Sequence, residues 1–293
     1  MRISLCTATD LHGCLALNRL LPGLLGHDLQ VLLDGTRPPG GDGDVPELAR
    51  LSSFEREHFA DLDEVFGEEP AGRLLTFRQL AARHRLPLHT VEGEESLRLL
   101  DGFRPDLIVA LRFPAHGLPA APLGVLDVHP GELPRFDGPL APFWALAERR
   151  PVIGCTVRRI APDGAAGAVL AERRLRVRPG RSLAWHIAQT YPLGVTALLE
   201  HLPAPAPGGR REGPAAAADP EGGLGRRYDA APNAEEVRAF LRTGREIVAA
   251  ADFDDLYGPF LGAGRTAPDP APERERERRR VERPVRRPTP AQR

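Results

Sequence analysis

Lysine is absent from this chain, and all 39 of its basic residues are arginine. The absence excludes mechanisms that need a lysine amine, such as Schiff-base formation, pyridoxal phosphate attachment and the Lys-containing phosphate-binding loop. Cysteine is scarce, and Cys6, Cys14 and Cys155 are scattered without CxxC spacing. This spacing argues against a disulfide framework or a zinc finger and favours the reducing cytoplasm as the location.

Long apolar runs are missing too, because no stretch of about 18 apolar residues occurs. The sequence therefore predicts no transmembrane helix, and its first residues lack the apolar stretch of a secretory signal. The nine histidines form no HExxH or HxH pair, so we expect no metal site. With 293 residues, 42% of them hydrophobic, the chain can bury the core of one large domain or two small ones.

Apolar strands and helices alternate along most of the chain. The clearest strand covers residues 106–113, built around an apolar run typical of parallel sheets covered on both faces. Further strands are predicted at residues 3–8, 29–33, 87–91, 124–129 and 152–160, and helices at 12–25, 75–84, 94–101, 141–149 and 182–202. The alternation predicts an α/β fold with a Rossmann-like, mostly parallel sheet flanked by helices, and a site at the carboxyl ends of the strands.

Composition divides the chain into four parts. They are a predicted α/β domain at residues 1–202, a Pro/Ala/Gly-rich linker at 203–222, a helical C-terminal extension at 223–262, and a disordered tail at 263–293. Within the first part, polar residues 36–70 are expected to form an excursion from the core, with a helix at residues 55–66. Residues 265–293 carry ten arginines and five acidic residues, a mixture that fits a solvated helix or a weak anionic partner.

The segment with the most chemical content begins in the last residues of the strand at 124–129 and continues into the loop after it. It reads Asp127-Val128-His129-Pro130-Gly131-Glu132-Leu133-Pro134. A histidine at a strand end can exchange a proton near neutral pH, and Asp127 points to the same side of the strand as His129. Gly131 lets backbone approach a ligand closely. From spacing alone, the pattern fits a catalytic histidine or a histidine that only packs beside a proline turn.

This segment resembles the folate-dependent formyltransferase family, which includes glycinamide ribonucleotide, methionyl-tRNA and sugar N-formyltransferases. The family pattern is Asn-x-His-Pro-Ser-Leu-Leu-Pro followed by an Arg-Gly pair, which corresponds here to residues 127–134 and then Asp137-Gly138. Residues 104–109 resemble the family's Pro-Asp-Leu strand, and residues 153–157 resemble the strand that follows its helix. The resemblance covers about residues 1–202.

The resemblance implies that a formyl group passes from 10-formyltetrahydrofolate to an amine. In the family, an Asn and the His stabilise the tetrahedral oxyanion, and a later Asp acts with the His in proton transfer. The catalytic residues assigned here are His129 and Asp127, at the positions of the family's His and Asn, and Asp163, a carboxylate two residues before the position of the later Asp. The implied acceptor is a small amine, such as an amino sugar or a natural-product intermediate. A tRNA acceptor is not expected, because residues 228–261 do not read as the C-terminal barrel of the tRNA-specific branch.

The chain departs from the family pattern at three positions. Asp127 replaces Asn, Asp137 replaces the Arg of the Arg-Gly pair, and Ala165 occupies the position of the later Asp. A carboxylate beside a developing oxyanion is repulsive unless protonated, so Asp127 is expected to hold a proton or to turn onto His129. Three interpretations stay open: an active enzyme with rearranged groups, a catalytically silent binding or interaction protein, and a different chemistry.

The resemblance also implies a folate pocket between two strand ends. The residues assigned to it are Leu111, Arg112, Phe113, Gly131, Leu133, Pro134, Ile160 and Ala165. Apolar lining with backbone hydrogen bonds tolerates substitution, so ligand binding is expected to survive changes that stop catalysis. Three further histidines, His12, His116 and His186, are weaker candidates for the site.

Overall fold

Seven β-strands form one sheet in the computed structural model, which describes residues 1–36, 45–114, 117–161, 166–202, 228 and 230–262. The strands are β1 (Arg2–Ala8), β2 (Asp28–Asp34), β3 (Leu88–Val91), β4 (Leu107–Leu111), β5 (Val125–His129), β6 (Val152–Ile160) and β7 (Ala166–Arg176). Their order across the sheet is β3-β2-β1-β4-β5-β6-β7. The first five in this order are parallel, and β6 pairs antiparallel with both β5 and β7.

Eight α-helices accompany the sheet within the described residues. They are α1 (Leu11–Leu20), α2 (Pro46–Ser52), α3 (His58–Phe66), α4 (Phe77–His84), α5 (Glu95–Phe103), α6 (Ala141–Ala147), α7 (Leu183–His201) and α8 (Ala234–Arg242). None of them combines the length and the apolarity needed to cross a membrane.

Strand β4 shows why the sheet is covered on both faces. All five of its residues are buried. Leu107, Val109 and Leu111 belong to the main hydrophobic cluster, which includes residues of α1 and α7. Ile108 packs in a second cluster together with Leu100 of α5. The predicted α/β fold with a mostly parallel sheet flanked by helices is therefore confirmed.

The expected excursion at residues 36–70 is wrong for the part of it that the structure describes. Helices α2 and α3, joined by a turn of π-helix at Ser53–Glu57, lie on the core. Their buried apolar residues, all in the main cluster, are Leu48, Leu51, Phe54, Phe59 and Leu62. These residues recur at helical spacing and form one apolar stripe, which the many acidic residues between them concealed.

The sequence analysis missed β7. This eleven-residue strand pairs along β6 with irregular register near Arg158. It lies at the edge of the sheet, where most of its residues stay partly exposed, and it includes Arg173, Arg174 and Arg176. A half-exposed edge strand rich in alanine and arginine lacks the apolar alternation by which strands are recognised.

The C-terminal helix is shorter than expected. The sequence predicts a helix from Asn233 to about Ala251, but α8 ends at Arg242, and Gly244 adopts a φ of 77°, which breaks helical geometry. The predicted N-cap is present, because the Asn233 side chain accepts hydrogen bonds from the amides of the first turn. The segment packs into the main cluster through Phe240 and other buried apolar residues. The predicted linker and tail lie outside the described residues.

The chain order of the strands reverses between β1 and β4. From β1 the sheet extends to β2 and β3 on one side, and from β4 it extends to β5 on the other. In open α/β sheets, the connections leave such a point in opposite directions and form a crevice at the carboxyl ends of the strands. Thr7 and Leu111 lie at one level across this point, and Leu111 pairs in turn with Val128 of β5. Residues that follow these three positions are therefore neighbours.

Candidate functional site

One face of β5 and β6 becomes polar toward the carboxyl end of β5. Asp127 pairs with Arg158 in the antiparallel register, and His129 pairs with Thr156. Directly paired residues of antiparallel strands share a face, and so do residues two positions apart in a strand. The four side chains therefore form two neighbouring cross-strand polar pairs on one face of the sheet. The Asp127 and His129 positions are about 6.6 Å apart along the strand. The expectation that Asp127 and His129 share one side of the strand agrees with this register.

His129 is buried and fixed in orientation, with 7% of its surface exposed. Its Nε2 lies 2.7 Å from the carbonyl oxygen of Phe136, so this nitrogen carries the proton and donates the hydrogen bond. In the neutral ring, Nδ1 then holds the lone pair. Burial lowers the pKa of His129 below its ordinary value, despite the opposing effects of the Phe136 carbonyl and of Asp127. The ring is thus a neutral base with a defined tautomer at neutral pH.

The loop after β5 is shaped around this hydrogen bond. A Cβ added to Gly131 would lie 2.2 Å from the Phe136 oxygen and 2.8 Å from His129 Nε2, so only glycine fits. Thr156 Oγ1 donates to the carbonyl of Gly131 at 2.6 Å, which ties the loop to β6. The peptide bond between Leu133 and Pro134 is cis. Gly131, one of the predicted pocket residues, therefore leaves room for the His129 ring and its hydrogen bond.

Asp127 is held by an arginine that the sequence analysis did not single out. Arg158 Nε donates to Asp127 Oδ2 at 2.7 Å, and Arg158 Nη1 donates to Asp137 Oδ1 at 2.7 Å. The Asp127 side chain pairs with Arg158 rather than turning onto His129, which corrects that part of the expectation. The available signal was a charged residue directly after the uncharged first six residues of β6, but its partner depends on the register between strands.

A second charged cluster occupies the crevice between β1 and β4. Arg112 Nε donates to Asp10 Oδ2 at 2.7 Å, and Arg112 Nη2 donates to Glu55 Oε2 at 2.8 Å. The other oxygen of Glu55 lies 2.9 Å from His12 Nε2. Burial raises the pKa of Glu55, but the charges of Arg112 and His12 outweigh it and lower the pKa to about 2. The guanidinium of Arg112 also lies over the Tyr191 ring, 5.7 Å from its centroid.

The side chains of Leu111 and Arg112, both predicted to line the folate pocket, have other surroundings in the structure. The Leu111 side chain is fully buried in the main hydrophobic cluster. Arg112 adopts a φ of 54°, and its side chain is engaged by Asp10 and Glu55. Both positions were assigned to ligand binding because the resemblance places the folate pocket at the end of this strand. The structure places one in the core and the other in an ion-pair network.

Phe113 borders an open cleft at the carboxyl ends of β2, β3 and β4. The cleft has a volume of about 310 Å³, and the residues that line it are Asp34, Thr36, Val91, Gly93, Glu94, Ser96, Leu97, Phe113, Pro114, Gly117 and Leu118. Phe113 and Ile160, two predicted pocket residues, pack against the same hydrophobic cluster. The cleft offers apolar walls and a few polar groups, which is the usual composition of a small-molecule site.

Other predicted residues have different outcomes. Asp163, Ala165 and His116 lie outside the described residues. His186 is buried in α7, where its Nδ1 lies 2.6 Å from the Ser182 carbonyl and its Nε2 accepts from a backbone amide, so it serves packing. In the described part of the chain, no three His, Cys, Asp or Glu side chains are grouped to hold a metal ion.

Comparison with known proteins finds similar sequences over about half of the chain. No family model matches the chain. The chain is 31% identical over 151 residues to the methionyl-tRNA formyltransferase of Chloroflexus aggregans, covering 46% of this chain and 48% of that protein. It is 28% identical over 166 residues to the Homo sapiens trifunctional purine biosynthetic protein adenosine-3, covering 54% of this chain and 15% of that protein. The chain thus spans about half the length of the first of these relatives, and less of the second.

Solved structures give related matches. A sugar N-formyltransferase from a Shewanella species is 11% identical, with a TM-score of 0.42, and the match covers 69% of this chain and 68% of that one. Glycinamide ribonucleotide transformylase 1 from Symbiobacterium toebii is 16% identical, with a TM-score of 0.43, and the match covers 68% of this chain and 88% of that one.

Proposed function

We propose that this chain, which is similar over about half its length to a methionyl-tRNA formyltransferase, transfers a formyl group from 10-formyltetrahydrofolate to the amine of a small metabolite, such as an amino sugar or a natural-product intermediate. The observation that carries the proposal is His129, a buried neutral base of fixed tautomer at the carboxyl end of β5. A neutral imidazole with a free lone pair on Nδ1 can accept the proton of an attacking amine near neutral pH.

The chemistry requires two steps at one carbon. The amine nitrogen forms a bond to the formyl carbon, the C=O electron pair moves to oxygen, and His129 Nδ1 takes the amine proton. The bond from the formyl carbon to N10 of the folate then breaks, its electron pair goes to N10, and N10 is protonated by the His129 imidazolium. The products are a formamide and tetrahydrofolate, and His129 returns to its neutral form.

The cleft beside Phe113 is the proposed site for the folate donor. Its aromatic and aliphatic walls suit a flat heterocyclic ring, and Asp34 and Ser96 supply polar groups that can orient it. The volume of about 310 Å³ is at the lower end of the range for small-molecule sites. Because the cleft adjoins the end of β4, the donor's formyl group is proposed to reach toward His129 on β5.

The charge of this sheet edge favours a small amine over tRNA. Four carboxylates, those of Asp10, Glu55, Asp127 and Asp137, are accompanied by two arginines in ion pairs. A net negative edge attracts an amine and repels the phosphate backbone of a nucleic acid. Residues 230–262 form a helix and helical turns with no strand among them. We place the reaction in the cytoplasm, where the buried, unpaired cysteines stay reduced.

The proposal is tested by incubating the full chain with 10-formyltetrahydrofolate and a panel of amino sugars and other small primary amines. The expected result is loss of the donor that depends on one class of amine, with a formamide product detected by mass spectrometry. His129→Asn is expected to lower the rate by about 100-fold or more, since it removes the base. His201→Gln, at an exposed position on α7, is the matched control. Absence of transfer to every amine would overturn the proposal.

A catalytically silent binding protein is the second candidate, and one observation favours it. The crevice between β1 and β4 is occupied by the ion pairs of Arg112 with Asp10 and Glu55. If this crevice takes no acceptor, the protein binds folate at the Phe113 cleft without transferring its formyl group. Isothermal titration with tetrahydrofolate separates the two candidates, because the silent protein binds folate and consumes no donor in the assay above.

A further inference from the structure

Arg158 has more hydrogen-bond donors than its two carboxylate partners use. A guanidinium carries five N–H groups. Its Nε is engaged by Asp127 and its Nη1 by Asp137, while Nη2 makes no hydrogen bond to any residue in the described ranges. The side chain keeps 14% of its surface exposed. The free end of this guanidinium is therefore accessible on the same face of β5 and β6 as His129.

We propose that Arg158 is a catalytic residue that supplies the donor to the developing oxyanion, in place of the amide replaced by Asp127. The inference rests on the formyl transfer proposed above. Asp127 and Arg158 are directly paired across the two strands, so the guanidinium lies next to the position from which an amide would have donated. The carboxylate at position 127 then holds the arginine instead of opposing the oxyanion.

The electrostatics support a charged donor at this point. Asp127 alone would repel a negative oxygen, but its charge is compensated by the 2.7 Å contact with Arg158. Asp137 holds the other side of the guanidinium, also at 2.7 Å, and limits its rotation. A donor that is already oriented needs no reorganisation when the oxyanion forms, and a charged donor binds it more strongly than a neutral amide does.

No additional reactant is needed for this role. Arg158 donates a hydrogen bond to the oxygen while the C=O electron pair resides there, and it transfers no proton. When the bond from carbon to N10 breaks, the electron pair returns to the carbonyl and the hydrogen bond weakens. The amine proton passes through His129 throughout, so the two residues have separate tasks on the same reacting carbon.

The test compares Arg158 variants of the full chain in the donor-consumption assay, using an amine that the unmodified chain accepts. Arg158→Ala is expected to lower kcat by about 100-fold or more, the scale of losing an oxyanion donor, with little change in KM for the donor. Adding Asp127→Asn to Arg158→Ala is expected to restore kcat about tenfold, because it removes the unpaired carboxylate and supplies an amide. Arg159→Ala is the control, since this exposed neighbour bonds only the Leu123 carbonyl among the described residues.

The results separate this role from a structural one. If the double variant regains the full kcat of the unmodified chain together with its thermal stability, Arg158 serves only to pair Asp127, and the inference is overturned. Unchanged kcat in Arg158→Ala overturns it as well. If that variant does not fold, Arg158→Lys keeps the charge without the planar set of donors, and a fall in kcat of about tenfold is expected. Unchanged kcat in Arg158→Lys again overturns the inference. Absence of transfer by the unmodified chain overturns the proposed function itself and is seen before any variant is compared.

Discussion

At the scale of single residues, the environment of His129 sets the pH range of the reaction. Burial lowers its pKa below the ordinary value of 6.5, so the ring stays neutral at pH values where an exposed histidine is already protonated. The acid limb of kcat/KM is therefore expected below pH 6.5. A pH profile of the transfer reaction measures it directly. An acid limb centred at or above pH 6.5 that stays in place when acceptor amines of different pKa are compared would contradict the assignment of His129 as the base.

Gly131 makes a second prediction at the residue scale. In Gly131→Ala the new methyl group collides with the Phe136 oxygen and with His129 Nε2, so the hydrogen bond that orients the ring is lost. We expect a stability loss of about 1–3 kcal/mol from overpacking, together with a large fall in kcat. Thermal unfolding and the transfer assay provide the two measurements. Gly102→Ala, where an added Cβ meets nothing within 4 Å, is the control and is expected to keep both properties.

At the scale of elements, the π-helical turn between α2 and α3 carries Glu55 into the crevice beside β1. Glu55→Gln removes one of the two carboxylates on Arg112 and the charged partner of His12. Removing one partner of a buried ion pair destabilises a protein by about 3 kcal/mol. We therefore expect the free energy of unfolding, measured with urea, to be lower by about this amount in Glu55→Gln. Glu68→Gln, at an exposed position beyond α3, is expected to change little.

The same network predicts how stability responds to acid. The pKa of Glu55 is about 2 in the folded protein against an ordinary value of 4.5. The folded state therefore binds fewer protons than the unfolded state between these values, and the stability gained above pH 4.5 is lost as the pH falls toward 2. The unmodified chain is expected to lose more stability than Glu55→Gln over this interval. Equal losses would show that Glu55 is not the group responsible.

The elements also show what the sequence could and could not reveal. Strand β4 was predictable because burial on both faces leaves an unbroken apolar run. The position of His129 followed from the resemblance to a known motif. The partners of Asp127 and Arg112 were not predictable, since they come from strand register and from a turn distant in sequence. Edge strand β7 was missed because its pattern reflects exposure to solvent more than packing.

At the scale of the whole molecule, the C-terminal segment completes the core of the α/β sheet. Phe240, Tyr257 and Phe260 are almost fully buried in the main cluster. Burying each such ring stabilises the fold by about 1.5–3 kcal/mol, against a typical total of about 5–15 kcal/mol. A chain ending at residue 202 is therefore expected not to fold cooperatively, whereas one ending at residue 262 is. Thermal unfolding followed by circular dichroism distinguishes the two; a cooperative transition in the shorter chain would contradict this expectation.

The arginines of β7 also bear on how copies of the molecule behave toward one another. An outermost strand has unpaired amides and carbonyls along one side, which can accept a strand from another chain and begin a fibril. Here that border carries Arg173, Arg174 and Arg176, and at the opposite border β3 is only four residues long. The long charged side chains on one side and the shortness of β3 on the other disfavour the edge-to-edge pairing of sheets from two copies. The protein is thus protected against self-association at high concentration by the same residues that hid its last strand.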